Sequence, residues 1–169
     1  IFCPRAIGPI YNTDVLVEAF YGASRKMTVH LVLLSKNANE PYLIKIEKML
    51  IKYKLLDKVT ILSEVSDEEL IDVYNSSDLI VTLASSDGCP SSFLEALLLG
   101  KKIVVSDIAF VKEWRIGQNV FTVPVRDVFK TTQRMIMALR FPDQKWQKYA
   151  AINRNLVIKR ADAGENAQK

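Results

Sequence analysis

Six apolar runs of strand length, separated by stretches in which apolar residues recur at helical spacing, constrain this chain more than any other feature. They are IFC at the start, TVHLVLLS at 28–35, KVTIL at 58–62, DLIVTLA at 78–84, KIVVSD at 102–107 and NVFTVP at 119–124. Strands that alternate with helices pair in parallel, because each strand must cross back over the sheet before the next begins. Most of the runs are apolar on consecutive residues, as strands covered on both faces must be. Right-handed crossovers applied to six such units predict an α/β, Rossmann-like, doubly wound six-stranded parallel sheet flanked by helices. Its strand order should reverse between the first and fourth strands. At 169 residues and 49% hydrophobic, the chain is long enough to bury one full core and reads as a single domain, 1–169.

Helices fit the intervals between the runs. Asn12 or Thr13 can cap one that reaches about residue 25, and Pro41 suits the first turn of the next, whose Leu43, Ile46, Leu50 and Ile51 share a face. Ser66 to Glu69 is a capping box, so a third helix starts there. Phe93, Leu94, Leu97 and Leu98 make the apolar side of a fourth helix that stops at Gly100. Beyond Val125 the pattern is helical, broken at Pro142, with Phe141, Trp146 and Tyr149 as anchors. The closing RADAGENAQK is too polar to dock by itself and reads as part of a helix that continues. Because the chain opens on Ile1 inside a strand, we expect it to be a C-terminal piece of a longer protein.

Composition narrows the function classes. Charged residues make up 25%, and no apolar run approaches the length of a spanning helix. Lys plus Arg number 23 against 19 Asp plus Glu, a mild excess spread along the chain that does not call for a nucleic-acid partner. Cys3 and Cys89 lack the spacing of a disulfide framework or a zinc site, which suits a reducing, cytoplasmic setting.

In a doubly wound sheet, ligands bind outside the carboxyl ends of the strands where the order reverses, so the loops to inspect are PRAIGPIYN and SSDGCPSS. The second opens a helix whose first N–H groups lack intrahelical partners and favour an anion. Gly88 allows close approach, Pro90, Ser91 and Ser92 start the helix without bulk, and together they read as a phosphate cradle. Glu95 lies one turn beyond Ser91, ~6 Å along the axis, and can accept two hydroxyls of a ribose. Asp87, on the loop side, would face a polyhydroxylated sugar. The bland alternative, Asp87 as a helix cap and Glu95 on a solvated face, is weakened by the coincidence with the switch point.

The segment DGCPSSFLEALLLGKK resembles the signature of the C-terminal domain of the retaining GT-B glycosyltransferases of family four (glycosyl transferases group 1), an acidic residue, seven residues, Glu, then a small apolar run and Gly-Lys. Asp87 and Glu95 stand at its two acidic positions. PRAIGPIYNTDVLVEAF, LVLLSKNANEPYLIKIEKML, LSEVSDEELIDVYNSSDLIV and VSDIAFVKEWRIGQNVFTVP are similar to the units around it, so the resemblance covers nearly the whole chain, as one half of a GT-B fold. It implies that Arg5 holds the donor diphosphate, Glu95 the ribose and Asp87 the transferred sugar, making Arg5 and Asp87 the catalytic pair. A guanidinium fork suits phosphate oxygens. Tyr11, Lys36, Val65, Gly88, Cys89, Pro90, Ser91 and Ser92 complete the expected donor site, with Val65 and its neighbours at the base.

Two departures stand out. Where the family carries a Lys after its Arg, this chain has Tyr11 and Asn12; a phenol donates to phosphate without charge, and Lys36 is the cation at hand. Asp87 replaces Glu and is one methylene shorter. The implied function is retaining hexosyl transfer from a nucleotide-diphosphate sugar to an acceptor sugar or lipid-linked sugar held by an N-terminal GT-B domain. No Asp-x-Asp occurs, so neither metal nor other cofactor is expected. The setting would be cytoplasmic, at the membrane periphery in the full-length protein. Tyr11 and Asp87 motivate the alternative, a non-catalytic nucleotide-sugar-binding or interaction module. A flavodoxin-like cofactor domain has no Gly-x-Gly-x-x-Gly to support it. His30 reads as packed or hydrogen-bonded, Cys89 as a small loop residue, and Glu113 and Trp114 as bordering the cleft or packing in the core.

Overall fold

The computed structural model describes residues 1–88, 90–114 and 120–166, the last six of these in backbone only. Its order is β1 (Phe2–Ala6), a 3-10 turn (Pro9–Tyr11), α1 (Thr13–Ser24), β2 (Leu31–Leu34), α2 (Glu40–Lys52), β3 (Val59–Leu62), α3 (Asp67–Ser76) and β4 (Leu79–Thr82). There follow α4 (Ser91–Leu98), β5 (Lys102–Ser106), α5 (Ala109–Glu113), β6 (Phe121–Val123), α6 (Val128–Arg140) and α7 (Asp143–Asn166). Every strand pair is parallel, in the order β3-β2-β1-β4-β5-β6. The expected reversal between β1 and β4 is there.

Consecutive apolar residues serve opposite faces of the sheet. Leu79 and Val81 of β4 pack with Val15, Leu16 and Phe20 of α1, Ile46 and Leu50 of α2, and Met135 of α6. Ile80 of the same strand packs on the other side with Tyr74 of α3, Phe93 and Leu97 of α4, and Val157 of α7. Each fully buried side chain of this size stabilises the fold by about 1.5–3 kcal/mol relative to exposure. That double burial is why β4 reads as an unbroken apolar run.

Local signals set the helix ends. Ser66 Oγ accepts from the Glu69 amide and the Glu69 carboxylate accepts from the Ser66 amide, the reciprocal pair of a capping box. Asn39 caps α2 through Tyr42 N, with Pro41 in the first turn. Gly100, at φ 69°, takes the left-handed conformation that ends α4, and its carbonyl accepts from Trp146 Nε1 at 2.7 Å. Trp146 also stacks on Phe121, with Phe141 and Tyr149 both edge-on to it, so the expected aromatic anchor of α7 is real.

Several expectations need correction. Ile51 and Leu98 are exposed, at 62% and 39%; each lies about 100° round the helix from its buried neighbour, past the edge of the apolar stripe. The second strand begins at Leu31, not at 28, since its register with β3 starts at Leu31 opposite Val59. His30 therefore lies just before the strand, hydrogen-bonded through Nε2 to Thr60 Oγ1 at 2.8 Å. Asn12 occupies the N-cap position of α1, but its side chain is used elsewhere and does not cap. The five-residue α5 is too short to show a period and was not expected.

Candidate functional site

The first strand also continues further than its apolar run, through Pro4 and Arg5. Pairing with β2 passes from Cys3 and Leu33 to Ala6 and Leu34, which leaves Pro4 and Arg5 as a bulge. Proline has no N–H for the ladder, so the strand deforms at that residue, and a bulge re-aims the side chains that follow. Arg5 is thus a strand residue, not a loop residue as expected. Its Nη2 donates to Asp87 Oδ2 at 2.6 Å and to the Tyr11 hydroxyl at 3.1 Å. The guanidinium also lies over the Tyr11 ring, 4.5 Å from its centre. The Arg5 and Asp87 side chains are only 19% and 13% exposed, so this ion pair is less screened than one at the surface.

Asp87 stands in the loop that runs into α4. Pro90 is the residue before the helix, and the amides of Ser91 and Ser92 occupy its first two positions, where no intrahelical acceptor exists. Ser91 is exposed, whereas Ser92 is 3% exposed and its hydroxyl has no hydrogen-bond partner among the described residues. A buried polar group without a partner is uncommon and marks a site that a ligand could complete. Among the described residues, its chain neighbours apart, no atom lies within 4 Å of where a Cβ on Gly88 would sit, so the space over that residue is open. Cys89 lies outside the described residues.

One turn into α4, Glu95 Oε2 accepts from the Tyr74 hydroxyl at 2.8 Å. Tyr74 is 2% exposed and its ring packs edge-on against Phe2. Burial, then the Glu95 charge, hold its phenol far above the usual range, so it stays a donor. Periodicity showed Tyr74 only as part of an apolar face; its partner is 21 residues away in sequence, on another helix. Lys36 and Val65 come together after β2 and β3, lining with Glu64 and Glu69 a depression of about 790 Å3.

The comparison that decides the family is with protein-family models, where glycosyl transferases group 1 matches residues 1–151. The chain belongs to the glycosyl transferases group 1 family. This group 1 glycosyltransferase domain superposes on a glycosyltransferase from Rickettsia africae with a TM-score of 0.82 at 18% identity, over 94% of this chain and 42% of that one. HepE of Anabaena, in complex with UDP and glucose, gives 0.83 at 16% over 94% and 43%. The catalytic domain of cholesterol-alpha-glucosyltransferase from Helicobacter pylori gives 0.75 at 16% over 94% and 96%. The chain therefore has the fold of the C-terminal half of a GT-B glycosyltransferase, and it spans about two fifths of the first two structures. No curated protein sequence matches it.

The group 1 domain carries a polar network around the switch point that sequence reasoning missed. Asn12 is 1% exposed, in the left-handed conformation at φ 49°, and its Nδ2 donates to Leu83 O at 2.6 Å and Ser85 Oγ at 2.8 Å. The Ser85 amide donates to Ile10 O at 2.8 Å. These bonds tie the loop after β1 to the loop after β4. Asp14, nearby, accepts from Lys45 at 2.8 Å and Arg126 at 3.0 Å. Burial alone would raise its carboxyl, but hydrogen bonds from Lys45, Tyr42, Arg126 and the Val15 amide outweigh that and hold it far below the usual carboxylate range.

Away from this network the remaining candidates are structural. Trp114 packs partly buried against the second core beneath Arg160, whose Nη2 donates to Glu113 O. Cys3 is buried, which pushes its thiol up to about 11. Among the described residues no group of three or more His, Cys, Asp or Glu could hold a metal ion, and no helix is long and apolar enough to cross a membrane.

Proposed function

We propose that this chain is the donor-binding domain of a retaining, metal-independent hexosyltransferase that uses a nucleotide-diphosphate sugar. The observation that carries the reading is the meeting of Arg5, Tyr11 and Asp87 beside a helix start whose Ser92 hydroxyl is buried without a partner among the described residues. Arg5 and the amides of Ser91 and Ser92 would hold the diphosphate. As the bond from the anomeric carbon to the phosphate oxygen breaks, its electron pair moves onto that oxygen, and a fixed guanidinium and aligned amides stabilise the growing charge without reorganising. Glu95, oriented by Tyr74, would accept from the ribose hydroxyls with Oε1, the oxygen not engaged by the tyrosine. Asp87 would hold hydroxyls of the transferred sugar, and Lys36, Val65 and Gly88 would border the nucleotide.

The acceptor, a sugar or lipid-linked sugar, would be held by an N-terminal GT-B domain, with the reaction at the cytoplasmic side and the full-length protein at the membrane periphery. HepE in its complex with UDP-glucose has the same fold, which supports a donor of that class. No cofactor is assigned a role.

A second reading, a non-catalytic module on the same scaffold, is favoured by the 2.6 Å Arg5 to Asp87 pair, because it already satisfies the cation meant for phosphate. Calorimetric titration with UDP, GDP and ADP distinguishes the two. Saturable binding of one of them that is lost in Glu95→Ala supports the donor site, and flat titrations at millimolar nucleotide favour the module.

A further inference from the structure

We propose that Arg126 is a positioning residue that holds the β4–α4 loop in its donor-binding shape, an inference that rests on the donor reading above. Arg126 stands in the turn between β6 and α6 at φ 61°, a left-handed conformation that glycine adopts freely and arginine does not. Its fork spans two partners. Nη1 donates to Asn12 Oδ1 at 2.7 Å and Nη2 to Asp14 Oδ2 at 3.0 Å.

The orientation of the Asn12 amide follows from its surroundings. Nδ2 faces the Leu83 carbonyl, which can only accept, and Oδ1 faces the guanidinium, which can only donate; the flipped amide would oppose like to like at both ends. One run of hydrogen bonds therefore passes from Arg126 through Asn12 to Leu83 and Ser85, and stops two residues short of Asp87. A guanidinium on Oδ1 polarises the amide and strengthens both Nδ2 bonds.

The Asp14 arm of the fork is partly duplicated, because Lys45 already donates to the same Oδ2. Among the described residues no second donor reaches Asn12 Oδ1, so that arm is what a strained arginine contributes at a turn where glycine would be relaxed. A loop fixed in this way presents Asp87 and the start of α4 at a constant distance from Arg5.

Arg126→Gly tests this, since glycine keeps the turn relaxed and removes the fork. In hydrogen exchange followed by mass spectrometry, peptides covering 83–88 should exchange roughly tenfold or more faster than in the parent, the scale set by losing a charged hydrogen bond. Amides of α1 and α6 should keep their protection, and Tm should stay within a few degrees. UDP affinity should fall by a similar factor. Unchanged exchange over 83–88 overturns the proposal, as does loosening spread evenly over the molecule, which would make Arg126 a general brace. A parent that fails to bind UDP strikes at the donor reading instead, and the exchange result still decides whether Arg126 holds the loop.

Discussion

Arg5 and Asp87 are 82 residues apart in sequence and joined at 2.6 Å across the reversal of the sheet. The pair sets the terms on which any anion enters: a phosphate must displace the carboxylate or share the guanidinium with it.

That competition is measurable with inorganic pyrophosphate. Asp87→Asn removes the internal anion and should raise pyrophosphate affinity by about three- to tenfold, the worth of a partly shielded ion pair. Arg5→Ala should abolish binding. If Asp87→Asn binds pyrophosphate no better than the parent, Arg5 is not the phosphate ligand. On the donor reading, Asp87→Asn in the full-length protein should nonetheless weaken transfer, because the hydroxyls of the transferred sugar would exchange a charged, two-oxygen acceptor for one neutral amide oxygen.

Glu95 and Tyr74 give a second handle. A carboxylate that grips ribose hydroxyls should discriminate UDP from 2′-deoxy-UDP, and Glu95→Gln should bring the two affinities together. Tyr74→Phe removes the donor that orients Glu95, at a cost of about 1 kcal/mol in stability, and should reduce the same discrimination. Equal affinities for the two nucleotides in the parent would contradict the assigned role.

Asp14 predicts a pH dependence. A carboxyl depressed in the folded state contributes stability that is fully present above its unfolded pKa, near ~4, and is lost as pH falls toward the folded value. Asp14→Asn should be less stable than the parent by about 2 kcal/mol at pH 7, the order expected for charged hydrogen bonds. The gap should close steadily below about pH 4, read as urea midpoints. A gap that is constant with pH would mean that the carboxylate charge contributes nothing there.

Gly100 is held at φ 69°, and a Cβ there would come within 3.4 Å of Ala150 Cβ and Arg154 Nη2. Gly100→Ala should destabilise by about 1 kcal/mol or more, with a lowered Tm. An unchanged Tm would show that the turn relaxes without strain.

The strand order was legible because it follows from chirality and burial, which act on every residue of a run: Leu79, Ile80 and Val81 had to serve two faces. The capping box at Ser66 and the stop at Gly100 were legible because both act within a few residues. The turn that carries Asp87, Ser91 and Glu95 was legible too, since it falls where β4 hands over to α4. Its bonding was not. Arg5 to Asp87, Tyr74 to Glu95 and Arg126 to Asn12 join side chains 82, 21 and 114 residues apart, and no periodicity encodes such pairs. The edges of apolar stripes were equally hidden, so Ile51 and Leu98 looked like core.

The deformation at Pro4 carries a wider implication. Because Arg5 hangs from one of the two central strands of the sheet, its position is inherited from the hydrophobic framework and changes only if that framework changes. On the donor reading proposed above, diversification would then proceed through the surrounding segments, around a guanidinium that stays where the scaffold puts it.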